Sequence, residues 1–185
     1  MKTTKFLFIA LIATLVITAC QKDDIALFSN DKVEMRNGEE PQMVPFKGDF
    51  AISPIGTEMI ACFDPEANYT IHTFSNHAVN GNATHLGLID PMQSQFNVVE
   101  CALNIQEQLA TFTDEIILKN KKGDGLFFLG NSTASLAGPG TGYYVVVEGY
   151  GKFENATGWI NTIGNISGPV GPVFAVDGMV TQPNH

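Results

Sequence analysis

Few residues in this chain have chemistry to offer, and they are scattered. Glu148 ends a dense β run, Tyr143-Tyr144-Val145-Val146-Val147-Glu148. In a strand, residues two apart share a face, so the pattern groups Tyr144, Val146 and Glu148 against Tyr143, Val145 and Val147. If Glu148 points inward, burial raises its pKa and makes it a general acid or base; if outward, it is a solvated charge. Both readings stand from sequence. His72, His77 and His85 fall within one short stretch. Zinc needs three or four imidazole or thiolate ligands converging at about 2.0–2.1 Å for nitrogen. His77 and His85 share strand parity with each other and not with His72, so no metal site is expected. There is no Cys-x-x-Cys pair and no nucleophilic serine motif, and no cofactor is expected. Asn68, Asn82, Asn131, Asn155 and Asn165 each open an Asn-x-Ser/Thr triplet, which reads as turn chemistry, since Asn and Thr bond their local backbone.

The three cysteines divide by position. Cys62 and Cys101 lie in strand-like runs, Glu58 to Phe63 and Asn97 to Leu103. Outside the cytoplasm such a pair tends to oxidise, and a bridge across neighbouring strands is one reading. Two separate buried thiols, acting as small hydrophobes, is the other. Cys20 sits at the end of a leader instead. Lys2 and Lys5 form a basic start, and Phe6 to Ile17 is an apolar run of twelve residues. A membrane-spanning helix needs roughly 20 apolar residues and a secretory leader about 7–15, so this run fits a signal peptide. It leads through Ile17-Thr18-Ala19 directly into Cys20.

That junction resembles the lipobox of bacterial lipoproteins, which implies diacylglycerol on the Cys20 thiol and cleavage before it. The next residues, Gln21-Lys22-Asp23-Asp24, resemble the export signal of surface lipoproteins of the Bacteroidetes. Together they imply residues 1–19 as signal peptide and an outer-membrane, lipid-anchored protein exposed at the cell surface. Residues 20–44 are then the lipidated cysteine and an acidic tether: Lys22, Lys32 and Arg36 stand against six acids, with apolar residues sparse and aperiodic. Such a segment buries too little surface to offset its ordering entropy. The folded domain is expected over residues 45–185.

Loss of the leader removes Lys2 and Lys5 and no acid, leaving eight basic and nineteen acidic side chains, a net charge of −11. Nucleic acids and anionic lipid surfaces attract clusters of Lys and Arg. The only cluster is Lys119, Lys121 and Lys122 in one turn, so nucleic-acid binding is not expected, and membrane contact is expected through the lipid alone. No sequence feature identifies a protein partner.

The positioning elements read as strands. Tyr69 to Phe74 alternates with period two, and further runs span Phe96–Ile105, Leu109–Leu118, Leu126–Leu129, Tyr143–Glu148, Trp159–Ile166 and Phe174–Thr181. Asn80-Gly81-Asn82 and Lys121-Lys122-Gly123-Asp124-Gly125 carry turn composition. Eight to ten short strands at this spacing predict an all-β barrel or sandwich.

After the Tyr143 run comes Gly149-Tyr150-Gly151-Lys152-Phe153-Glu154-Asn155-Ala156-Thr157-Gly158. Gly149, Gly151, Phe153, Ala156 and Gly158 resemble the Gly-x-Gly-x-Phe-x-x-Ala-x-Gly turn of allene oxide cyclase-like and dirigent-like β-barrels. Ala83 to Gly87 and the Lys122 to Phe128 hairpin agree in order and spacing, while Glu148 departs from a position where that family usually has glycine. The resemblance implies an antiparallel eight-stranded barrel whose interior can hold a small hydrophobic molecule. The motif itself marks packing, not chemistry. Two functional expectations follow: a displayed, non-catalytic module binding a ligand or partner, and a cyclase or isomerase using an apolar cavity with Glu148 and a tyrosine. The interior separates them: a barrel packed solid rules out the enzyme and weakens ligand binding too, and an open cavity lined by Glu148 favours the enzyme.

Overall fold

The computed structural model describes residues 41–136, 138–165 and 172–184. The leader, Cys20, most of the tether and Ile166 lie outside the described residues.

The domain is all-β. Its strands are β1 (Met43–Pro54), β2 (Met59–Asp64), β3 (Tyr69–Phe74), β4 (Asn76–Ala83), β5 (Gly87–Ile89), β6 (Gln95–Asn104), β7 (Leu109–Lys119), β8 (Gly125–Ser135), β9 (Pro139–Tyr150), β10 (Gly158–Asn165) and β11 (Val173–Thr181). The order β6-β7-β8-β9-β10-β11-β1-β4 closes on itself where Asn76, His77 and Ala78 of β4 pair with Asn97, Phe96 and Gln95 of β6. Eight antiparallel strands thus form a barrel. Closure satisfies both edges of the sheet, which an open sheet of this size would leave unpaired.

Alternation decides the inside. Phe46, Phe50 and Ile52 of β1, Ile116 and Leu118 of β7, Leu126 and Phe128 of β8, Ile160 of β10 and Val176 and Val180 of β11 all face inward and form one core. The intervening residues face out. Asn80-Gly81-Asn82 is not the turn its composition predicts: it runs inside β4, with Gly81 opposite Phe50 of β1. The chain turns later, at Thr84 to Leu86. The first strand begins at Met43, two residues ahead of Pro45, where the sequence pattern put the domain start.

The hairpin β2–β3 extends the sheet beyond β6, to which it pairs at Phe63 and Ala102. A disulfide joins Cys62 to Cys101 across this junction, with a Cα separation of 4.7 Å, over a small separate core of Cys62, Leu103 and Ala110. Asp64, almost fully buried, ties the β2–β3 turn to the β6–β7 turn by accepting the backbone N–H groups of Glu66, Ala67 and Ile105 at 2.9, 3.0 and 2.7 Å. These bonds, that from Ile105 foremost, hold its carboxyl below the usual carboxylate range.

The glycine-rich turn after β9 is built as its composition suggests. Phe153 is buried in the core from a short 3-10 turn, Gly151–Phe153. The Phe153 carbonyl then folds back over Gly149, where a Cβ would sit 1.7 Å from that oxygen; only glycine fits.

Candidate functional site

Inside the barrel, one face breaks the apolar pattern. Along β7 the inward residues are Ala110, Phe112, Asp114, Ile116 and Leu118, so a carboxyl sits in a register otherwise held by hydrocarbon. Asp114 is fully buried. The ladder neighbours at its level are Val98 of β6, then Gly130 of β8 and Tyr144 of β9. Gly130 is what lets the two polar side chains meet. A Cβ there would stand 2.7 Å from the Tyr144 ring, so the glycine leaves the slot through which the phenol reaches Asp114.

The result is a compact polar cluster. The Ser132 hydroxyl donates to Asp114 Oδ2 at 2.5 Å, and the Tyr144 hydroxyl donates to the same oxygen at 3.1 Å. Asp114 Oδ1 has no partner. Burial pushes the Asp114 carboxyl up to about 6, against the two hydroxyl bonds that act to lower it. Burial, and the carboxyl beside it, push the Tyr144 phenol up as well, so it stays protonated.

A cavity of about 240 Å³ lies against this cluster. Ser132, Tyr144 and Thr162 form one polar part of its wall, Thr73, Thr133 and Thr141 add further hydroxyls, and Ile52, Phe96, Val98, Phe112 and Phe174 make much of its apolar wall. His77 also lines it, edge-on to Phe96 with ring centroids 5.8 Å apart, nearly buried and with Nδ1 unpartnered. Burial lowers the His77 pKa, partly opposed by a bond with the Phe96 backbone, so the ring is neutral at pH 7. Asp114 does not itself line the cavity. It stands behind Ser132 and Tyr144. No Lys or Arg is in the lining.

Glu148 takes the outward reading. Period two would place it beside Tyr144 and Val146, but Phe128 pairs with Val146 while Phe127 pairs with Glu148. Val147 is therefore an extra residue, a β-bulge, and it turns Glu148 to the outer surface. There Glu148 is exposed and accepts from the Tyr150 hydroxyl at 3.0 Å. The three histidines separate: His72 is exposed on β3, His77 lines the cavity, and His85 sits in the turn after β4, its carbonyl bonded by Lys152 Nζ. Among the described residues no cluster of three or more His, Cys, Asp or Glu could hold a metal ion. The sequence reading passed over Asp114. The available clue was one acid within an inward-facing, period-two apolar series.

No protein family matches the chain, and no curated protein matches it. Among solved structures it is similar to the pterocarpan synthase dirigent protein, at 10% sequence identity and a TM-score of 0.44, covering 86% of this chain and 99% of that one. At that distance no residue role passes from that protein to this one. The barrel's own strand pairing is what defines its fold.

Proposed function

We propose that this chain is a lipid-anchored surface protein whose barrel binds a small, uncharged, mainly apolar molecule. The observation that carries the reading is the cavity inside the barrel, with His77, whose Nδ1 is unpartnered, among its lining residues. Buried polar atoms are normally satisfied, and a bound molecule or ordered water is the usual partner of those that are not. The cavity lies near the small end of the range for ligand pockets and its wall is mostly aromatic and aliphatic, which suits a compact hydrocarbon body. An anion has no cation to meet there. Asp114 reaches the space only through Ser132 and Tyr144, so it holds those hydroxyls in place and does not meet the occupant. The cyclase or isomerase reading loses the carboxylate it was built on, because Glu148 faces out.

The membrane address rests on the leader, Cys20 and the acidic run after it. One acyl chain holds only marginally, whereas the two or three chains of a mature lipoprotein hold durably.

Ala134, buried on the cavity wall, gives the test. Ala134→Phe fills the space while keeping it apolar. The native chain is expected to bind the neutral cage alcohol 2-adamantanol, read by NMR titration, and the filled variant to lose at least tenfold in affinity, roughly the value of one to two buried methylenes. Equal binding by both proteins would put the probe elsewhere and refute the reading.

A further inference from the structure

We propose that Asp114 sets the hydrogen-bond polarity of the Ser132–Tyr144 part of the cavity wall: ionised, it makes that pair an acceptor that selects alcohols and amines; protonated, it makes the pair a donor that selects ketones and other carbonyl compounds. The inference rests on the cavity being a ligand site and names the class of ligand that site takes.

The geometry supplies the switch. Each hydroxyl carries one proton and two lone pairs. Ser132 and Tyr144 both direct their single proton at Asp114 Oδ2. With both protons so committed, these two cavity-lining groups have only lone pairs left for an occupant. A molecule that donates is satisfied; one that only accepts finds no free proton on these two hydroxyls. When the carboxyl takes a proton from solvent, it becomes a donor to one of the two hydroxyls. That hydroxyl then accepts from Asp114, and its own proton is free to turn to the cavity. One proton bound to Asp114 thus creates one donor on the cavity wall, and no covalent bond other than the carboxyl O–H forms or breaks.

The surroundings leave this proton under Asp114's control. Val98 of β6 and Gly130 of β8, which flank Asp114 in the sheet, carry no charge. Thr162 of β10 lies on the same wall, hydrogen-bonds the Tyr144 hydroxyl so that one lone pair of that hydroxyl remains for an occupant, and does not titrate in the accessible range. The other ionisable groups on the cavity wall are Tyr144, which stays protonated, and His77 of β4, whose pKa burial lowers; the Asp114→Asn variant separates any contribution of His77 from that of Asp114. Glu115 of β7, Glu100 of β6 and Glu148 of β9 belong to the outer face, since their partners Leu129, Thr113 and Phe127 do. Because burial lifts Asp114 to about 6, both states are reachable under mild conditions.

The test uses a matched pair, 2-adamantanol and 2-adamantanone, which share one apolar cage and do not titrate. The full chain in detergent micelles is titrated with each at about pH 5 and about pH 8, two pH units or so either side of the switch being unnecessary when the ratio is read. Partition into detergent is the same at both pH values for these non-titrating probes, so it cancels when the ratio of the two dissociation constants is compared between them. Preference for the alcohol over the ketone is expected to rise about tenfold from the acid to the alkaline condition, the scale of one hydrogen bond made against one left unmade. Asp114→Asn, which cannot ionise, is expected to hold the ratio constant. Should that variant fail to fold, Ser132→Ala removes one of the two hydroxyls and is expected to shrink the change. A native ratio that does not move with pH, with both probes bound, overturns this inference and leaves the binding reading intact. Failure of both probes to bind overturns both.

Discussion

The Tyr144 hydroxyl and the Asp114 carboxyl meet at 3.1 Å inside the barrel, across a glycine that separates them in the sheet. A buried carboxyl with no cation nearby is costly to ionise, and this has a measurable consequence for stability. Its ordinary pKa of 3.8 rises to about 6 in the folded chain. Between those values the folded protein holds a proton that the unfolded protein has lost. Stability therefore falls as pH rises through this window and levels off above it, by at most about 3 kcal/mol. Urea unfolding of the native chain and of Asp114→Asn, from about pH 4 to 7, is expected to show the native chain losing ground relative to the variant. Parallel curves would contradict the assignment.

Gly142 lies two residues before Tyr144 on the same inward face. A Cβ there would stand 2.5 Å from the Tyr144 ring, 2.6 Å from its hydroxyl and 2.8 Å from the Thr162 hydroxyl. Gly142→Ala should therefore displace the phenol, at a cost of about 1–3 kcal/mol, the range for overpacking a fitted interior. Denaturant midpoints give the cost. An unchanged Tyr144 environment in NMR spectra would show that the phenol does not occupy this slot.

The Cys62–Cys101 bridge spans a sequence separation of 39 and lies outside the β4–β6 closure of the barrel. Replacing both cysteines by alanine should lower stability by about 2–4 kcal/mol while leaving the barrel folded. Adding dithiothreitol to the native chain should reproduce that loss, and a native chain indifferent to reductant would argue against the bridge.

At the other end of the chain, Cys20→Ser should move the protein from the membrane fraction to the soluble one, because no thiol remains to carry the lipid. Persistence in the membrane fraction would defeat the anchor reading.

The strands from β6 to β11 were legible in the sequence because alternation and turn residues agree there: the runs at Phe96, Leu109, Tyr143 and Phe174 all match strands. Strand β4 was hidden because Asn80-Gly81-Asn82 has the composition of a turn, while its glycine serves pairing with β1. The inner face of β9 was readable as far as Val146 and then misread, since a bulge shifts parity by one residue without any mark in composition. Asp114 was overlooked for a related reason. Its role depends on Gly130 and Gly142, which bring Tyr144 across the sheet, and such cross-strand relationships follow from register, which a single strand's pattern does not contain.

The central claim is that the barrel interior holds a small molecule beside Ser132, Tyr144 and His77. Intermolecular nuclear Overhauser contacts between 2-adamantanol and the protein's methyl groups test this most directly. Contacts to Ile52, Val98 and Ala134 on the cavity wall are predicted, unaltered by Glu148→Gln on the outer face. Contacts confined to the exposed methyls of Val147 and Ile163, or none at all, would contradict it.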